Sequence, residues 1–213
     1  MKLTPNSPWV TEFLAELRPY EEKILNARVV TELAEGKLSL GRLRAGLVNF
    51  YPLIESFPKL ISLSLLKVGG ESGAWNEEAR SWFIKNLATE RLHMKWWLSW
   101  AKGFGISRSV FRQPITPPPP MDAINHYLWR VCTYGEVWES LAACNVAIEG
   151  PTGEWTKKVL PGVSKYRNRP GVTISAGTVR WVRAHASYDD KHPVEALELL
   201  KGCALTEKQQ SDS

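Results

Sequence analysis

The chain has 213 residues, with 27 Lys and Arg against 22 Asp and Glu and a formal net charge of +5. That length supports one substantial core without forcing a second domain. The basic residues are scattered among acids, which excludes the clustered footprint of a nucleic-acid binder, and no segment offers the roughly 20 consecutive apolar residues of a membrane span.

Trp9, Phe13, Leu14 and Leu17 fall at helical spacing, with Pro19 expected to interrupt or restart the helix. Residues 20–36 read as a helix stopped by Gly36, and Ser39 as the N-cap of the next, which runs to Gly69. Pro52 and Pro58 should bend that helix, and Glu55 sits between them in an apolar setting. Residues 75–104 form a third long helix containing Glu90 and His93. The prolines at 117–120 mark a stiff connector, after which 121–132 and 136–148 are helical again. Glu149-Gly150-Pro151 should interrupt or kink the path before a turn near Trp155, and 161–177 read as a surface loop. A last helix follows from about Thr178.

The apolar residues recur at three and four, never persistently at two, so the chain is all-α, with about seven helices. Residues 1–205 read as one helical domain and 206–213 as a polar, frayed tail. Cys132, Cys144 and Cys203 are an odd set without CxxC spacing and read as packing residues in a reducing, cytoplasmic setting. The ten tryptophans read mainly as large core filler.

His185, Asp189 and His192 lie four and three residues apart, which on a helix puts all three on one face. Two imidazoles and a carboxylate suit iron or manganese once further carboxylates converge from neighbouring helices. Glu90 and His93 have the Glu-x-x-His spacing of dimetal carboxylate bundles. Glu149 closes an apolar run in which a carboxylate needs a metal or a basic partner. With Glu55, four helical segments each deliver an acid or imidazole, giving the candidate set Glu55, Glu90, His93, Glu149, His185, Asp189 and His192. His126 is the one histidine outside it.

The stretches 145–155 (NVAIEGPTGEW) and 185–198 (HASYDDKHPVEALE), with 53–57 (LIESF) and 89–93 (TERLH), resemble the haem-oxygenase-like diiron oxidases, and among them the UndA-type fatty-acid oxidative decarboxylases. TenA and PqqC proteins share that fold. The resemblance implies a haem-oxygenase-like helical bundle, two Fe(II) ions and O2 as co-substrate. Glu90, His93, Glu149 and His185 would hold one iron. Glu55, Asp189 and His192 would hold the other, with a glutamate such as Glu90 or Glu149 bridging.

The implied reaction converts a medium-chain fatty acid to a terminal 1-alkene and CO2. A different small substrate would give hydroxylation, N-oxygenation or carbon–carbon cleavage, and a non-catalytic TenA-like binding or regulatory protein is the remaining class. Members of this family continue into another long helix after the His-Asp-His element, whereas the present sequence reaches only Ser213. A rearranged helix or a partner subunit, as in a homodimer, would then close the cavity.

Overall fold

The computed structural model describes residues 1–70, 73–187 and 191–213, and the described residues are helical without a strand. Helix α1 spans Pro8–Leu25, α2 Arg28–Ala34, α3 Leu40–Asn49, α4 Tyr51–Leu66 and α5 Ala74–Gly103. Helix α6 covers Pro119–Tyr134 and α7 Val137–Ser140, which runs into a π-helix at Leu141–Ile148. Helices α8 (Gly150–Val163), α9 (Arg180–Ser187), α10 (Lys191–Cys203) and α11 (Glu207–Asp212) complete the chain.

Local chemistry accounts for most boundaries. Pro8 begins α1 at a position whose N–H has no helical partner, and Ser39 caps α3 by accepting from the Arg42 amide. Helices α3 and α4, expected as one bent rod, divide at Phe50 because Pro52 falls in the first turn of α4, where its missing donor costs nothing. Pro19 and Pro58 lie inside α1 and α4 without ending them. Glu136 and Glu139 form a reciprocal capping box at the start of α7. A second such box, Thr206 with Gln209, starts α11 where the composition suggests only a frayed tail.

Glu149-Gly150-Pro151 does not break the chain path as its composition suggests. The backbone widens into π-type bonding just before it, with the Glu149 amide donating to the Cys144 carbonyl at 3.2 Å. Pro151 then falls in the first turn of α8 and is tolerated there.

Two apolar clusters fill the interior. One gathers Phe57, Leu60, Trp82, Phe83, Leu141 and Leu199; the other gathers Leu47, Trp97, Trp100, Tyr166, Trp181 and Val182. Helix α4 packs on α5 and α6, α8 on α2 and α9, and α10 on the π-helix. A Cβ at Gly162 would collide with the Leu33 and Ala34 carbonyls, so glycine lets α8 lie directly against α2. Several tryptophans do serve as filler: Trp181 stacks on Trp100 and meets Trp97 edge-on, with ring centroids 5.6 and 4.8 Å away.

Candidate metal centre

Helix α5 supplies the floor of the site. Its buried stripe runs Ala79, Trp82, Phe83, Asn86, Glu90, His93, Trp97 and Trp100, which is apolar at both ends and polar in the middle. The polar segment lies where the two apolar clusters meet, since Trp82 and Phe83 belong to one and Trp97 and Trp100 to the other. Helix periodicity therefore forces Asn86, Glu90 and His93 inward with the tryptophans.

Four elements converge there. Ligand atoms of Glu90, Glu149 and His192 lie within 4.8 Å of one another, drawn from α5, the end of the π-helix and α10. The rings of His93 and His185 lie 4.4 Å apart between centroids with their planes tilted by 48°, bringing α9 to the same place. Glu90, His93 and His185 are buried, while Glu149 and His192 are partly buried. His192 also meets Trp82 edge-on at 6.4 Å.

Hydrogen bonding prepares these groups for a cation. His185 Nδ1 lies 2.9 Å from the Trp181 carbonyl oxygen. A carbonyl only accepts, so Nδ1 carries the proton and Nε2 is the nitrogen with a lone pair for ligation. Burial, and after it the neighbouring His93, pushes the His185 imidazole well below the usual histidine range, so the ring is neutral as a ligand must be. The Asn145 amide donates to Glu149 Oε2 at 3.1 Å and orients that carboxylate.

Glu90 is 5% exposed. Its Oε1 lies 3.1 Å from His93 Nδ1, yet it makes no aligned hydrogen bond among the described residues. A buried carboxylate oxygen in that state is costly unless a cation completes its surroundings. The orphaned oxygen, the neutral imidazole and the second carboxylate together fit a divalent metal such as iron, whose nitrogen and oxygen preferences match this donor set.

Of the seven residues singled out from the sequence, five meet here: Glu90, His93, Glu149, His185 and His192. The trio that contains His192 joins the two ligand sets implied by the resemblance. Glu55 stands apart. Its side chain is 47% exposed and lies 4.0 Å from Lys59 one turn along α4. Asp189 lies outside the described residues. His126 is on the exposed face of α6, 3.7 Å from Asp122, away from the cluster.

Three supporting residues were not singled out from the sequence. Asn145 is four residues before Glu149, and Asn86 four before Glu90, so one-turn spacing from each carboxylate could have flagged both. Trp181 acts through its main-chain carbonyl and its ring, 3.9 Å from that of His185 between centroids. The i−4 relation to His185 was the only signal for it.

The phenyl ring of Phe50 borders a pocket with Pro52, Leu53, Pro117, Met121 and Ile124. Its free volume is about 30 Å³, room for a water rather than a chain. Trp97 is core, its indole N–H donating to the Leu47 carbonyl at 2.9 Å.

A helical bundle with carboxylates and imidazoles converging from four elements is the arrangement from which helical proteins build metal sites. A family described as iron-containing redox enzyme matches residues 44–213, and the chain belongs to that family. Among solved structures it is similar to a TenA homolog from Pseudomonas syringae pv. tomato, with TM-score 0.87 and 22% identity over 100% of this chain and 90% of that one. It is also similar to a domain of unknown function with a haem oxygenase-like fold from Shewanella denitrificans, with TM-score 0.75, 18% identity and coverages of 95% and 83%. A TenA family transcription regulator from Silicibacter gives TM-score 0.73 and 15% identity, with coverages of 98% and 89%. At these identities the likeness establishes the fold alone. No curated protein matches the chain.

Proposed function

We propose that the protein is an oxygen-dependent non-haem iron oxidase, with Glu90, His93, Glu149, His185 and His192 holding the metal. The observation that carries this reading is the convergence of the Glu90, Glu149 and His192 ligand atoms within 4.8 Å beside the adjacent His93 and His185 rings. Bound iron would supply O2 activation and hydrogen abstraction from a small carboxylate-bearing substrate. The chain's own contribution is to hold the ligands and keep water away. Trp181 fixes the His185 tautomer through its carbonyl, Asn145 aims Glu149, and the rings of Trp96 and Trp181 pack against His93 and His185 respectively.

The finer reading, supported by the resemblance, is a diiron enzyme in which Glu55, Asp189 and His192 complete a second Fe(II) site. Its substrate is a medium-chain fatty acid, converted to a terminal alkene and CO2. An alkyl chain requires the small pocket beside Phe50 to open, or another route to the ligands. The test loads the protein with Fe(II) under anaerobic conditions, measures bound iron, and then follows O2 consumption and headspace alkene across a series of fatty acids. Iron uptake with alkene one carbon shorter than the acid is the expected result. Iron uptake without alkene removes the decarboxylase and leaves an oxidase of another small substrate.

The TenA homologues among the similar folds favour a second reading, a binding or regulatory protein on the same scaffold. Failure to take up iron under anaerobic loading would select it.

A further inference from the structure

Away from the metal centre, two of the three cysteines face each other inside the first apolar cluster. Cys132 in α6 and Cys144 in the π-helix are fully buried, and their sulfur atoms lie 3.4 Å apart. Thiols read from the sequence as separate packing residues are therefore in direct contact. The Ser64 hydroxyl, which donates to the Leu60 carbonyl at 3.0 Å, lies 3.9 Å from Cys132 Sγ. Lys67 reaches in from the end of α4, its ammonium donating to the Val131 carbonyl and to Ser140 Oγ, each at 2.9 Å. Polar side chains and a positive charge thus lie beside the thiol pair inside an otherwise apolar cluster, an arrangement that simple packing does not require.

We propose that Cys132 and Cys144 form a redox-active dithiol that closes to a disulfide under hydrogen peroxide and pins the π-helix to α6. Closure needs about 1.3 Å of further approach between the sulfurs to reach a disulfide bond length. The π-helix is the element best able to yield, because its wider bonding already departs from α geometry. In the first step Cys132 sulfur attacks peroxide, the O–O bond breaks, and the thiol proton leaves with hydroxide as water, giving a sulfenic acid at Cys132. In the second, Cys144 sulfur displaces that hydroxyl as a second water, leaving the disulfide. Two thiols are oxidised by two electrons and one peroxide is reduced to two waters.

The roles follow from the surroundings. The hydrogen bond from Cys144, followed by those from the serine hydroxyls and the charge of Lys67, brings the Cys132 thiol down to about 7 despite its burial. Cys144, fully buried with its sulfur 3.4 Å from that of Cys132, is placed to act as the resolving thiol. Cys203 is pushed up to about 12 by burial and is the internal control.

The consequence of closure reaches the metal centre through the backbone. The Cys144 carbonyl accepts the Glu149 amide at 3.2 Å, and Asn145, next in the chain, donates to the Glu149 carboxylate. Fixing Cys144 fixes the frame that carries Glu149.

The experiment treats the folded, reduced protein with hydrogen peroxide, quenches it, alkylates it after unfolding and maps the peptides by mass. Expected are a loss of two hydrogens, a cross-link between the peptides containing Cys132 and Cys144, full reversal by dithiothreitol, and Cys203 still alkylated. Amide hydrogen exchange across residues 141–149 should slow several-fold in the oxidised form. In Cys144→Ser, dimedone should capture a sulfenic acid at Cys132; should that variant fold poorly, the wild-type mapping and exchange decide alone. Cys132 over-oxidised to sulfinic acid beside an unmodified Cys144, thiols inert to peroxide until the protein is unfolded, or exchange unchanged by the cross-link would each overturn the proposal. None of these readouts depends on bound iron.

Discussion

Helices α4 and α5 each carry a candidate ligand glutamate, Glu55 flanked by apolar residues in one and Glu90 flanked by Thr89 and Arg91 in the other, and the fold places them in opposite environments. Helix α4 buries Tyr51, Ser56, Phe57, Leu60, Ile61 and Ser64. Glu55 precedes Ser56 by one position, a rotation of about 100°, which sets it at the edge of that face where Lys59 can reach it. On α5 the buried positions step through Phe83, Asn86, Glu90, His93 and Trp97 at three and four, so Glu90 falls inside the stripe. Apolar neighbours in sequence do not bury a carboxylate; its angular position on the helix does.

The largest effect that tests this contrast comes from the ligands themselves. Glu90→Gln and His185→Ala should each weaken Fe(II) binding by more than the roughly 100-fold that bounds changes outside the ligand shell. Glu55→Gln should leave at least one ion bound per chain, and His126→Ala should change nothing. Iron titration followed by metal analysis of the desalted protein measures all four. Equal loss in Glu55→Gln and Glu90→Gln would erase the distinction between the two helices.

Next in size is the support of Glu149. Asn145→Ala removes the amide that aims the carboxylate, and a loss of roughly 10- to 100-fold in iron affinity is expected with the helical content intact. Competition against a chelator, with circular dichroism on the same samples, reads both quantities.

The polar stretch of α5 should also be unfavourable to stability. Asn86 is 1% exposed, and neither side-chain amide atom has a hydrogen-bond partner among the described residues. Asn86→Leu, which keeps the forked shape and replaces both amide atoms with methyl groups, should stabilise the metal-free protein by about 1–3 kcal/mol in urea unfolding, the cost of a buried unsatisfied amide. A destabilised variant would show that Asn86 contributes through contacts not evident in this arrangement.

The smallest expected effect belongs to α4. The Glu55–Lys59 pair is about half exposed and spaced one helical turn apart, so Lys59→Ala should cost no more than about 0.5 kcal/mol. A larger loss at moderate salt would mean that Glu55 depends on Lys59 in a way an exposed pair does not.

The five converging residues were legible to different degrees. Glu90 and His93 could be read as a pair because α5 is an uninterrupted helix, and the three-residue spacing fixes their common face. His185 could be placed by its spacing on the run that became α9, yet its alignment depends on the Trp181 carbonyl, a main-chain group without a sequence signature. Glu149 could be identified from its apolar run, but its direction could not be read. The π-helix at Leu141–Ile148 shifts the angular register that ordinary helix periodicity would assign. Glu55 shows the converse, a residue type and setting that suggest a ligand where the helix face turns the side chain toward Lys59.

The sequence by itself determined the helical class, the extent of the long helix α5 and the residue types able to hold iron, because spacing, proline and capping act within a few residues along the chain. Only the tertiary structure decided which carboxylates meet, that Asn86 and Asn145 share the site, and that Cys132 and Cys144 touch. Those outcomes depend on how helices far apart in sequence rotate and pack, and packing is fixed by the two apolar clusters jointly rather than by any one segment.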